Sequence, residues 1–159
     1  MSVQSPVASD HQLVRLLQIG VVLEEVVEAR AAKHADLADL DGEVRAMLRE
    51  AAAESATHRE RLDDLVGRLE AETIPFDDVK ALVEERYEAD EDFDDVLYDQ
   101  LCNEETAYKF YDDLIGAIET SDAEFGVPRE DVLGVLRELR AEEEAGVEEV
   151  AALMEAVEE

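Results

Sequence analysis

The chain has 159 residues, 47% of them hydrophobic, with 44 acids against 14 bases and a formal net charge of −30. That length suits one domain with a sizeable core, and the apolar share excludes a disordered acidic tail. The charge excludes nucleic acid and anionic membrane surfaces as partners, because both would repel the chain.

The basic residues are three lysines (Lys33, Lys80 and Lys109) and eleven arginines, and there is no tryptophan. Few lysines among many Asp and Glu fit a cytoplasmic protein of a salt-loving organism. Molar salt shortens the screening length to about 3 Å, and self-repulsion then becomes tolerable. Cys102 is the single cysteine, which leaves no internal disulfide and no rubredoxin-type or zinc-ribbon site. The start "MSVQSPVASDHQ" has neither a basic stretch nor an apolar core, so no signal peptide is expected. No uncharged apolar run approaches the roughly 20 residues of a membrane span.

Residues 1–9 are small and polar and read as a disordered leader; residues 10–159 read as one helical domain. From Asp10 the apolar positions Leu13, Leu17, Gly20, Leu23 and Val27 recur at three- and four-residue steps, predicting a first helix. "HADLADLDGE" breaks it, and Asp41 is placed to cap a second helix reaching about Glu72. The second stripe is Met47, Ala51, Glu54, His58, Leu62, Leu65 and Leu69. Pro75 is expected to end that helix, and residues 76–94 to form a shorter helix and a bend. A third main helix is predicted over 95–120, with the stripe Leu97, Leu101, Glu104, Tyr108, Tyr111, Ile115 and Ile118. After "TSDAEFGVPRED", with Pro128 suited to the first helical position, a fourth runs to about Val157. Its stripe is Val132, Leu136, Leu139, Glu143, Val147, Val150, Met154 and Val157. No segment reads as a strand. The fold class is therefore all-α: a four-helix bundle with one long crossover carrying a short extra helix, the second and third main helices running parallel.

Each apolar stripe is interrupted by a carboxylate: Glu24, Glu54, Glu104 and Glu143. Glu24 and Glu54 are equidistant from a point inside "HADLADLDGE", and Glu104 and Glu143 from a point inside "TSDAEFGVP". Both hairpins are thus expected to bring their inward acids to one level. Four ionised carboxylates cannot share an apolar interior unless something neutralises them. Two divalent cations would balance them, and His58, one turn or about 6 Å from Glu54 along the axis, could add a nitrogen ligand. Glu and His together suit iron or manganese, and the lack of thiolates disfavours structural zinc. A core that carries acids by chance is the competing reading. "LEEVVE", "NEET" and "AEEEAG" each hold neighbouring acids.

This pattern resembles the ferritin-like superfamily, and within it the rubrerythrin-like branch, over residues 10–158. That family places a Glu on the first and third helices and Glu-x-x-His on the second and fourth, with two irons, or sometimes manganese, between them. "ESATHRERLDDL" is similar to the second-helix segment in its acid, histidine and trailing leucine. Here the spacing is Glu-x-x-x-His, because Ser55 stands three residues before His58, and Val147 stands where the second histidine would follow Glu144. The resemblance implies the metal ligands Glu24, Glu54, His58, Glu104 and Glu143, with Glu144 and Glu105 as spares. It implies two iron ions, or manganese, serving iron oxidation or the reduction of peroxide or oxygen. With no rubredoxin-type motif, electrons would come from another protein. Tyr108 and Tyr111, on the Glu104 stripe, are expected to be core aromatics whose hydroxyls reach a buried acid. The alternative function is a metal-free acidic bundle for protein interaction or oligomerisation, a homodimer being one such assembly.

Overall fold

The computed structural model describes residues 5–37, 39–86 and 96–158. Among these residues all regular structure is helical: α1 (Asp10–Ala35), α2 (Gly42–Arg68), α3 (Phe76–Arg86), α4 (Val96–Glu119) and α5 (Arg129–Glu158). None of the helices is long and apolar enough to cross a membrane.

Local chemistry sets the boundaries. The Ser9 side chain accepts the Gln12 N–H at 3.2 Å and starts α1. Asp41 does the same for α2, accepting from Glu43 N at 2.9 Å, as the sequence predicts. α2 ends at Arg68, short of the expected Glu72. Glu70 adopts φ 53°, and a residue in the left-handed region terminates a helix before Pro75 is reached. Pro75 instead opens α3, its carbonyl accepting from Asp78 N and Val79 N. The expected bend beyond Arg86, like residues 1–4 of the leader, lies outside the described residues. The rest of the leader is not an idle tail. Val7 is fully buried, its N–H donates to the Ala117 carbonyl at 3.0 Å, and its own carbonyl accepts from Ser121 Oγ. Burial of the Val7 side chain, with these two bonds to its backbone, docks it.

Four long helices pack in pairs, α1 on α2 and α4 on α5. Gly20 and Glu24 of α1 meet Phe110 and Tyr111 of α4, whereas Arg30, later in α1, meets Asp99, earlier in α4, so those two run antiparallel. Arg68–Asp131, Arg61–Glu138 and His58–Glu142 give α2 and α5 a single antiparallel register. With α1 and α2 antiparallel through their short turn, α2 and α4 point the same way. This arrangement is compatible with a four-helix bundle. α3 lies on α1, where Val79 packs on Val22. Gln18 pins the segment before it, donating to the Ile74 carbonyl at 2.8 Å and accepting from Ile74 N at 3.1 Å.

Two apolar clusters fill the interior. The larger, with Leu13, Leu17, Leu62, Phe110, Leu114, Leu136 and Leu139, lies toward the α4–α5 turn. The smaller, with Ala35, Met47, Leu48, Leu97 and Val150, lies toward the α1–α2 turn. Gly20 marks the tightest approach in the larger cluster. A Cβ there would stand 3.1 Å from both Leu62 and Phe110, so a larger residue would require those side chains to give by a few tenths of an ångström. Polar residues occupy the layer between the clusters.

Candidate metal centre

The polar layer contains Glu24, Ser55, His58, Gln100, Asn103 and Glu143, all buried. His58 is its hub. Nδ1 faces Glu143 Oε1 at 3.1 Å and Glu24 Oε1 at 3.3 Å. Nε2 faces Glu142 Oε2 at 2.7 Å and Glu54 Oε1 at 3.6 Å. Glu24, His58 and Glu143 thus form an inner group, wholly buried, and Glu54, His58 and Glu142 an outer group reaching the surface; either set of ligand atoms lies within 4.8 Å of one another. Tyr111 closes the inner side. Its hydroxyl donates to Glu24 Oε1, and its ring meets the imidazole edge-on at 6.5 Å between centroids.

Of the residues singled out from sequence, Glu24, His58 and Glu143 come together as the stripes predict. Glu54 belongs to the outer group and is half-exposed, 40% at the side chain. Glu104 lies at the edge of the buried face, accepting from Gln100 Nε2 at 3.0 Å, and near enough to Glu143 to raise its pKa. Glu144 is exposed and excluded from both groups, as is Glu105. On a helix that buries Glu143, the next residue is turned about 100° away. Tyr111 reaches a buried acid as expected; Tyr108 is only partly buried.

The expected match of heights holds only to within one turn. His58, not Glu54, lies opposite Glu24, as the neighbouring Arg59–Glu28 pair also shows. Gly146, not Glu143, lies against Glu104. The centre therefore has two levels about 5 Å apart: Glu24, His58 and Glu143 on one, Glu54 and Glu104 on the other.

Glu142 is the ligand-type residue that the stripe passes over, because it lies on the flank of α5 that faces α2. Its signal is a charge ladder. Arg61 and Arg68 are spaced as Glu138 and Asp131 are, and extending that antiparallel pairing by one turn lands on His58 and Glu142. Gln100 and Asn103 were also outside the α4 stripe. Their inward placement, with Ala107 and Leu114, rotates the buried face of α4 away from Leu101 and Tyr108, which are only partly covered.

Crowded acids in a dry layer hold protons. Burial first, then Glu104 and Glu24, pushes Glu143 well above the usual carboxylate range. Burial, together with Glu104, Glu142 and Glu24 and against the pull of His58, raises Glu54 to about 7. Burial alone would lower His58, but its hydrogen bonds and attraction to Glu24, Glu142 and Glu54 outweigh that and raise it. Burial and the charges of Glu24 and Glu143 push the Tyr111 phenol well above its ordinary value, so it stays a donor. Among the acids of the layer, Glu24 Oε2 is buried and has no hydrogen-bond partner, and Gln100 Oε1 of the same layer shares that condition.

A second ionic cluster, formed by Arg30, His34 and Asp99, lies toward the α1–α2 turn. Asp99 is buried; it accepts from Arg30 Nε at 3.2 Å and meets His34 Nε2 at 3.0 Å. It ties the start of α4 to the end of α1.

Comparison with protein-family models, with curated proteins and with solved structures finds no match. The functional reading therefore stands on the residues of this chain alone.

Proposed function

We propose that this chain is a ferritin-like metal-binding protein: a four-helix bundle whose long crossover joins the parallel α2 and α4, with a diiron centre in its polar layer. The observation that carries the reading is Glu24 Oε2. A buried carboxylate oxygen without a partner is costly, and a cation beside it removes the cost. The donor chemistry fits. Carboxylate oxygens and one imidazole suit iron or manganese, and no thiolate is among them, Cys102 lying outside both groups.

Glu24 and Glu143 would hold one ion, and Glu54 and Glu142 the other. Glu104 lies close enough to Glu143 to serve between the two levels. His58 can give one nitrogen to an ion while its other N–H is held by a carboxylate, which fixes the ring. With His58 neutral, two divalent ions would offset four of the five carboxylate charges, and the fifth is borne at the half-exposed Glu142, which water also reaches. Bound iron would supply redox chemistry toward oxygen or peroxide, in iron oxidation or in reduction of the oxidant. The chain's own groups do the rest. Tyr111 orients Glu24, the two apolar clusters exclude water from the inner group, and the outer group opens the centre to solvent. Electrons for repeated turnover would come from a partner protein.

One observation favours a second reading, a metal-free acidic bundle for protein association. Both His58 nitrogens already face carboxylates, and a charged imidazolium with protonated Glu143 neutralises much of the cluster without metal. Metal per chain separates the two readings. The protein is purified from iron-replete cells in high salt and, in parallel, stripped and titrated anaerobically with Fe(II) and Mn(II). Two ions per chain support the diiron centre; no uptake of either metal leaves the association module.

A further inference from the structure

Gly146 sits in the middle of the 30-residue α5, where glycine is a poorer helix former than alanine. No glycine among the described residues has positive φ, so backbone freedom does not explain it. Space does. A Cβ built on Gly146 would stand 2.6 Å from Glu104 Oε2, 2.7 Å from its Cδ and 3.0 Å from its Oε1. The carboxylate occupies the space that a Cβ would need. Among the helical glycines this is unique to Gly146: Gly42, Gly67, Gly116 and Gly134 have nothing within 4 Å, and Gly20 meets apolar carbon.

We infer that Gly146 is a positioning residue, a notch in α5 that seats Glu104 where it can serve the metal centre. The inference rests on the reading of that centre given above. Glu104 is held from one further side, by the Gln100 amide at 3.0 Å. Gln100 is itself buried, so the amide cannot readily follow a displaced carboxylate. A methyl group at position 146 therefore drives Glu104 out of its seat, while the helix around it becomes intrinsically more favourable. Helix stability and metal affinity are thereby set in opposition at one position.

The test uses Gly146→Ala, Glu104→Ala and the double variant, in the full chain. In anaerobic Mn(II) titrations, Gly146→Ala is expected to weaken binding about tenfold, the scale of losing a residue that orients a ligand. In the Glu104→Ala background the same change should shift affinity less than twofold. Wild-type affinity in Gly146→Ala would overturn the inference while leaving the metal centre intact. A wild-type protein that takes up no metal would instead remove the metal centre, and the melting temperatures of the metal-free proteins then decide the seat. Gly146→Ala should raise the melting temperature by several degrees more in the Glu104→Ala background than in the wild type. Equal shifts in both backgrounds would show that Glu104 does not use the notch.

Discussion

The Tyr111 hydroxyl donates to Glu24 Oε1, the same oxygen that faces His58 Nδ1, and leaves Glu24 Oε2 without a partner. One acid is thus fully engaged on one side and open on the other. Tyr111→Phe keeps the ring and removes the donor. In the metal-free protein it is expected to lower stability by about 2 kcal/mol, the range for a buried hydrogen bond to a charged acceptor. Urea unfolding with the metal stripped is the measurement; an unchanged midpoint would show that the bond contributes nothing.

His58 touches both groups of acids, so its loss should be felt by either ion. His58→Ala is expected to weaken metal binding tenfold or more, which corresponds to about 1.4 kcal/mol. Glu144→Gln, on the exposed neighbour of Glu143, should leave both affinity and stability within about 0.5 kcal/mol of wild type. Isothermal titration of the two variants side by side checks the contrast, and equal losses would contradict the assignment of Glu143 over Glu144.

The protonation of the centre gives stability a definite pH dependence. Glu54, Glu143 and His58 all have raised values in the folded state. The native state then holds more protons than the unfolded chain, and its stability falls as pH rises. For Glu54 the contribution is complete below 4.5, the unfolded value, and lost as pH passes about 7. For His58 it is complete below 6.5 and lost above the raised folded value. The metal-free protein should therefore melt at a lower temperature at about pH 8 than at about pH 5. Salt of about 1 M screens the general repulsion of the chain, so that the centre's own contribution is read. Mn(II) should restore the loss at high pH. A profile that Glu54→Gln does not flatten would show that the dependence comes from elsewhere.

Glu70 ends α2 in the left-handed region, where a side chain with a Cβ is strained. Glu70→Gly is expected to stabilise the fold by about 1 kcal/mol, with metal affinity unchanged. A thermal melt of the variant decides it, and a lower melting temperature would mean that the Glu70 side chain makes a contribution larger than the strain.

Asp99 is a buried acid whose partners Arg30 and His34 are themselves mostly covered. Asp99→Ala is expected to cost about 3 kcal/mol, since it removes a buried acid that engages both Arg30 and His34. Denaturant unfolding reads the effect, and a loss below a few tenths of that would place Arg30 in water rather than in the pair.

The sequence by itself determined the helices. Apolar residues at three- and four-residue steps, the Asp41 cap and the turn-forming stretches between them are local signals, and local signals suffice for a helix. It also placed Glu24, His58 and Glu143 on apolar faces, but the same criterion placed Glu54 and Glu104 there, and those two are only partly covered. Only the tertiary structure decided which oxygen meets which nitrogen. Periodicity fixes the angle of a side chain about its own axis, but not the rotation of that axis against its neighbours or its slide along them. Rotation turned α4 so that Gln100 and Asn103, polar and invisible to a search for apolar stripes, face the interior. Slide placed His58 rather than Glu54 opposite Glu24, and the bare backbone of Gly146 opposite Glu104. Both depend on how side chains from separate helices interlock at distances of a few ångströms, and no single helix carries that information.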